Sequence, residues 1–384
     1  MIFEPGRSYL IQNRGSSLHA NVKAFSTGET APVEQLTLRT DEIEQRSQTW
    51  LPMMLDNGNM MLVNRHSGLV LNVKAFSSRE FARLEQLSPR ADRTQRASQL
   101  WTVREDEDRD GDGDVYHTLQ NLHSSYYVSI EGRDHRETRR LEQQRLYPAA
   151  HQWGPLLRWR FTPKDEHTAI TELEPVDREV NDIGDVDRLT DFAKPRQERT
   201  EEVLVGQVVM PCVLVRGDHN PRWRAEHSPW YVLRRFGYWE LVFFYEHSGG
   251  SEFTEEQSVT FGLTSGEQKT IDQTTGITVG ADAGFGFKGV TAGFSTTISS
   301  ELRVSHTSFS EENYNETRVL RRTYPHGTRV SEAIWYRGDH YVLTRMDGSQ
   351  VLDWRTVNEQ HMVTDAHPPL AAGRDDDVAP EASP

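Results

Sequence analysis

Laid on itself at a shift of 51, the first part of this chain repeats: Asn21-Val22-Lys23-Ala24-Phe25-Ser26 meets Asn72-Val73-Lys74-Ala75-Phe76-Ser77, six identities in a row. The same shift aligns Glu34-Gln35-Leu36 with Glu85-Gln86-Leu87, Asn13 with Asn64, and Trp50 with Trp101. A third copy carries Gln120-Asn121, Leu141-Glu142-Gln143 and Trp159, and the spacing from each Asn to its closing Trp is 37, 37 and 38 residues. Each unit holds about four short apolar segments broken by Gly, Ser, Asn and Asp. Such a unit cannot bury its apolar face alone but can in a closed three-fold array. The spacing predicts a β-trefoil over residues 1–163, with repeats at about 8–52, 58–103 and 114–163.

With 384 residues the chain has room for a second domain. Its 35% apolar content, 27 Gly and 17 Pro favour short strands and turns, so an all-β protein is expected. The formal charge of −15 opposes a nucleic-acid partner, which needs a basic face. Cys212 is the single cysteine, so stability rests on packing without an intrachain disulfide. The start, Met1-Ile2-Phe3-Glu4-Pro5-Gly6-Arg7, has no basic segment followed by an apolar run, and the expectation is no Sec signal and no helical anchor.

The repeat endings Gln48-Thr49-Trp50 and Gln99-Leu100-Trp101, with Leu157 in place of Gln before Trp159, resemble the Gln-x-Trp endings of ricin-type lectins. That resemblance implies that Trp50, Trp101 and Trp159 pack in a shared core. It also implies that a sugar site needs an Asp carboxylate and a ring for stacking. The Asp position holds Asn21, Asn72 and Ser129, and the ring position Leu36, Leu87 and Gln144. An Asn amide both donates and accepts but lacks the charge-assisted acceptor. Asn21, Asn72, Ser129 and the Tyr126-Tyr127 pair are the candidate glycan ligands, beside the alternative of a scaffold that touches protein or lipid.

Between Trp101 and Asn121 the spacing is 20 rather than 14, and the added residues are acidic. Asp108, Asp110, Asp112 and Gly113 begin like a calcium loop, yet the twelfth position is Leu119, where a bidentate Glu is required. The segment reads as a solvated acidic loop, and no metal or cofactor site is expected.

Residues 164–200 are polar and charged and read as a linker, with Arg196 and Arg199 as candidate cleavage points. Strand-type runs return at 208–215, 230–233 and 238–245. The most informative segment is 277–299. Ile277, Val279, Ala281, Ala283, Phe285 and Phe287 are apolar at odd positions; after Lys288-Gly289 the apolar positions turn even, at Val290, Ala292, Phe294 and Ile298. A two-residue turn at Lys288-Gly289 would put Phe287 opposite Val290, Phe285 opposite Ala292, Ala283 opposite Phe294 and Val279 opposite Ile298, all on one face. Arms of about ten residues suit a tilted strand crossing a bilayer. The same alternation also suits a hairpin packed on a soluble core.

Val209-Met210-Pro211-Cys212-Val213-Leu214-Val215, the aromatic block 228–239, and Lys269-Thr270-Ile271 leading into the hairpin resemble the two-component insecticidal crystal toxins, the toxin-10 or binary mosquitocidal type. The resemblance implies an N-terminal trefoil and, over 201–365, an elongated aerolysin-like antiparallel β-sheet pore-forming domain, then a disordered tail at 366–384. It implies a protein made in the bacterial cytoplasm, also as inclusions, and released to act on a target-cell membrane. There it would bind a glycan or protein receptor, form a homo-oligomer, and work with a second toxin component. A non-lytic lectin-like targeting subunit is the alternative. A hydrolase is not supported, because no carboxylate pair or nucleophile stands out. Arg216-Gly217-Asp218 and Arg337-Gly338-Asp339 each read as turn chemistry between strands rather than as adhesion motifs, and Cys212 as a buried strand residue.

Overall fold

The computed structural model describes residues 3–4, 6–55, 58–106, 114–166, 173–279, 285–287, 292–305 and 315–369. The protein is all-β in its main architecture, and each repeat supplies four strands. The first gives β1 (Arg7–Asn13), β2 (His19–Val22), β3 (Val33–Leu36) and β4 (Thr49–Met54); the second β5 (Asn59–Asn64), β6 (Val70–Val73), β7 (Leu84–Leu87) and β8 (Trp101–Glu105). The third gives β9 (His117–Asn121), β10 (Tyr127–Ile130), β11 (Leu141–Gln144) and β12 (Trp159–Glu166). Outer strands pair around a closed ring, β1 with β4, β4 with β5, β5 with β8, β8 with β9, β9 with β12 and β12 with β1. The hairpins β2–β3, β6–β7 and β10–β11 cap it. Closure removes the edges that an open sheet would expose.

The repeated residues explain this symmetry. Trp50, Trp101 and Trp159 are at most 1% exposed, and each indole N–H donates over 3.1 Å to a carbonyl on its own unit's hairpin, Ala20, Leu71 and Val128. Each Trp lies opposite the Asn of the following unit: Trp50 faces Asn64, Trp101 faces Asn121, and Trp159 faces Asn13. Gln35, Gln86 and Gln143 join the units. Each side-chain amide donates to two carbonyls of a neighbouring unit and accepts from a serine hydroxyl of its own, Ser16, Ser67 or Ser124. In the first two units, α1 (Glu42–Arg46) and α2 (Arg93–Ala97) are N-capped by Asp41 and Asp92. The third unit lacks this helix and has the 3₁₀ turn Gly154–Leu157.

The second domain runs β13 (Val203–Pro211), α3 (Pro221–His227), β14 (Trp230–His247), β15 (Phe253–Gly262), α4 (Ser265–Thr275), β16 (Ile277–Val279), β17 (Phe285–Phe287), α5 (Ala292–Leu302), β18 (Asn315–Tyr324), β19 (Val330–Arg345) and β20 (Gln350–His367). A long antiparallel sheet has the order β13-β14-β19-β20, and β15–β18 form a separate two-stranded ribbon. Strands of 18 residues such as β14 and β20 extend about 60 Å. The ribbon packs on the sheet through Val259, Phe261 and Leu320 against Phe243, Ile334 and Tyr336.

The two domains share one core. Leu51, Met53, Met61, Val63, Val70 and Leu100 of the trefoil cluster with Val208, Met210, Tyr231, Leu233, Tyr341 and Leu343 of the long sheet. These positions break the internal symmetry. Leu51 stands where the other copies carry Thr102 and Arg160, and Val63 where they carry Gln12 and Gln120. At Gly68, in the left-handed region at φ +72°, a Cβ would sit 2.0 Å from the carbonyl oxygen of Pro221, so glycine permits this approach.

Three expectations change. The strand at 208–215 ends at Pro211, and buried Cys212 sits in the turn beyond it, because Cys212 and Val215 fold back against α3 and the trefoil. Arg337-Gly338-Asp339 lies inside β19 rather than between strands, with Arg337 and Asp339 fully buried. The 164–200 segment is no free connector: β12 reaches Glu166, and Ile183 and Val186 are buried, Val186 against Trp335. The acidic residues 107–113 and the tail beyond 369 lie outside the described residues, though flanking Asp106 pairs with Arg158 at 2.5 Å.

Candidate functional sites

In the trefoil, Asn21, Asn72 and Ser129 occupy matching places on β2, β6 and β10, opposite Glu34, Glu85 and Glu142 on the partner strands. All six are buried. Asn21 accepts from the Ser47 hydroxyl at 2.7 Å, and Asn72 donates to the Val73 carbonyl at 2.8 Å and to Glu85 at 3.2 Å. Burial pushes the carboxyls of Glu34, Glu85 and Glu142 up from their ordinary value, while Lys23 near Glu34 and the Asn72 amide on Glu85 counter this. The two amides are therefore buried in the hairpin, Asn21 held through its oxygen and Asn72 through its nitrogen. Tyr126 and Tyr127 are half-buried, Tyr127 opposite Gln144.

Segment 277–299 differs from the hairpin expected. β16 pairs with β17, Ile277 opposite Phe287 and Val279 opposite Phe285, which is not the pairing expected about Lys288-Gly289. Beyond it, α5 replaces the expected second arm. Its buried side chains Ser295, Ile298, Ser299 and Leu302 recur at three- and four-residue steps, the spacing of one helical face. Ile298 and Leu302 sit on the even phase of the alternation and are also four apart, so one pattern serves both structures. Ala292 begins α5 and Phe294 lies within it; Ala281, Ala283, Lys288, Gly289 and Val290 lie outside the described residues.

This unit is tied to the domain on several sides. Gly276 ends α4 in the left-handed conformation, and Gln268 of α4 donates to the Ile277 carbonyl and accepts from the Val279 N–H, replacing a missing ladder partner for β16. Phe285 packs against Tyr341, with ring centroids 4.8 Å apart and planes tilted by 43°. At the far end, Arg235 and Asp339 form a buried bidentate pair, both bonds 2.8 Å. The same guanidinium donates to the carbonyls of Leu302 and Arg303, at the α5 C-terminus. Arg303, at φ 53°, reaches across to the carbonyls of Val176 and Arg178. The 173–200 segment is thereby a strap, held further by Asn181 on Arg337, Gly184 on Trp239, and Arg199 on Glu240. Sequence reasoning gives Arg235 and Arg303 no role, and it marks Arg199 only as a candidate cleavage point and Arg337 only within a turn motif. Asp218 of the first motif is occupied by Arg345 and by the Tyr231 hydroxyl.

The ribbon flanking this unit has an unbroken register. Pairing steps inward one residue at a time from Phe253 opposite Tyr324 to Gly262 opposite Asn315, with no bulge. Among the described residues there is no cluster of His, Cys, Asp and Glu able to hold a metal, and no helix is long and apolar enough to cross a membrane.

Residues 203–368 match the family described as insecticidal crystal toxin, P42. The binary larvicide subunit BinA of Lysinibacillus sphaericus is 22% identical over 200 residues, 52% of this chain and 50% of that protein, so the chain spans about half the length of the curated relatives it matches. The crystal structure of Cry35Ab1 superimposes with a TM-score of 0.73 at 15% identity, covering 96% of this chain and 91% of that one, a likeness of fold. A designed three-fold symmetric protein, ThreeFoil, is 26% identical over 40% of this chain and 96% of its own, with a TM-score of 0.33. Across its second domain, residues 203–368, this chain is similar to the insecticidal crystal toxin family.

Proposed function

We propose that this protein is an insecticidal β-pore-forming toxin component. Its trefoil attaches to a glycan or protein receptor on the target cell, copies gather, and residues 277–299 of each enter the membrane as a hairpin in one closed barrel. The observation that carries the reading is the ribbon register. Continuing the β15–β18 pairing inward with the same stepping meets at positions 288 and 289, and sets Val279 opposite Ile298 and Phe285 opposite Ala292. That is the pairing the apolar alternation gives independently. Refolding of 263–314 onto the ribbon therefore needs no slip of the existing ladder, and all the apolar groups of the tip fall on one face. The family match, and a relative named as a subunit of a binary larvicide, support action together with a second protein.

The test is dye release from liposomes and insect midgut vesicles, with protease-treated protein, alone and with candidate partners. Release is expected. Retention of dye under every condition, despite membrane binding, would favour a non-lytic targeting subunit.

A further inference from the structure

The β15–β18 ribbon has two outer edges, and among the described residues neither strand has a ladder partner other than the other. Unpaired edges are templates for another strand, and proteins usually guard them with charge. A guard works through like charges. Here the edges differ in sign: β15 carries Glu255 and Glu256 with no Lys or Arg, while β18 carries Arg318, Arg321 and Arg322 against Glu316. Two β15 edges repel one another, as do two β18 edges, whereas β15 of one copy attracts β18 of the next. That selects a head-to-tail contact, the heterologous kind that closes into rings. It also keeps neighbouring strands antiparallel around the ring.

The pairing inside one chain already uses this chemistry. Arg321 lies opposite Glu256, with Nε 2.6 Å from Oε1, on the outward face of the ribbon. Their side chains are 70% and 47% exposed. Thr254 meets Thr323 and Thr260 meets Thr317 through hydroxyl bonds of 3.0 and 3.1 Å on the same face. A polar face and opposite edges are what a wet barrel lumen needs. We infer that the acidic β15 edge and the basic β18 edge are the assembly surface of the protein, each taking the opposite edge of a second copy of this chain. This rests on the pore reading for its setting, but concerns which surfaces meet.

The experiment exchanges charges while keeping the internal pair. A Glu256→Arg, Arg321→Glu double variant retains the cross-strand attraction within one copy but cancels the net charge of both edges, since Glu255 remains on β15 and Glu316, Arg318 and Arg322 remain on β18. Alone on liposomes it is expected to bind as the parent does but to assemble about ten-fold less, while its fold in solution is unchanged. Mixed with differently labelled parent protein, it should enter parent oligomers about ten-fold below its statistical fraction, since each mixed contact loses the attraction between opposite edges. Statistical mixing would overturn the inference. So would a complete absence of parent oligomers on membranes that it permeabilises. Oligomers that sort by charge without dye release would sustain the edge assignment and refute the pore.

Discussion

Val279 lies directly opposite Phe285 in the short β16–β17 pair, with both side chains fully buried. In the extended ribbon Val279 would instead face Ile298. Paired cysteines at 279 and 285 are therefore expected to form a disulfide in the soluble protein and to abolish dye release, with recovery on reduction. Cysteines at 279 and 298 should cross-link in membrane-bound protein. Full leakage from the oxidised 279–285 variant would show that this pair stays together during insertion.

Release of α5 is opposed by the strap. Arg303→Ala removes the donors that join the α5 end to the carbonyls of Val176 and Arg178. Hydrogen exchange of amides 295–302 in solution should quicken by about ten-fold, while β19 amides keep their protection. Unchanged exchange would assign the hold to Arg235 and Asp339 alone.

The shared core can be opened by restoring the symmetry of the repeat. Leu51→Thr with Val63→Gln places on the docking face residue types that the other copies carry at those positions. The pair is expected to cost about 3–5 kcal/mol at the interface. It should split a single calorimetric transition into two, with the trefoil tryptophan signal unfolding separately.

Acid should weaken the trefoil. Burial, helped by nearby Arg160, lowers the His19 pKa from 6.5 to about 4, and burial lowers His66 and His117 in the same direction. The unfolded chain then binds these protons more readily, so the stabilisation is complete above pH 6.5 and declines as pH falls toward 4. For His19 alone this is about 3 kcal/mol. Glu34, Glu85 and Glu142, with raised values, act in the opposite sense nearer their own range. The thermal midpoint should therefore fall between pH 6.5 and 5, and His19→Gln should flatten that slope.

Cys212 is buried, and desolvation pushes its thiol up to about 11. A maleimide or disulfide reagent at neutral pH should leave it untouched until denaturant unfolds the chain. Modification of the native protein would reveal an opening at the domain junction.

The trefoil was legible because internal identity needs no propensity argument: Trp50, Trp101 and Trp159 had to be equivalent, and equivalent large apolar residues meet at an axis. The ligand positions were harder. Nothing in a sequence tells that the Asn21 side-chain carbonyl is taken by the Ser47 hydroxyl rather than by solvent. The expected second arm is helical in this structure because Ile298 and Leu302 satisfy a period of two and of four together, and tertiary packing chose the helix. The strap left no periodic trace, since its anchors Ile183 and Val186 are isolated among charges. The domain junction was written in the places where Leu51 and Val63 depart from their repeats.

The common core between the trefoil and the long sheet has a consequence for encounters with a surface. A flexibly tethered binding module would raise the local concentration of its passenger and leave it free to tumble. Here, whatever the trefoil grips also sets the heading and stand-off of the ribbon, so neighbouring molecules on one surface arrive already co-oriented. Part of the orientational entropy of assembly is then surrendered at attachment, before any two copies touch.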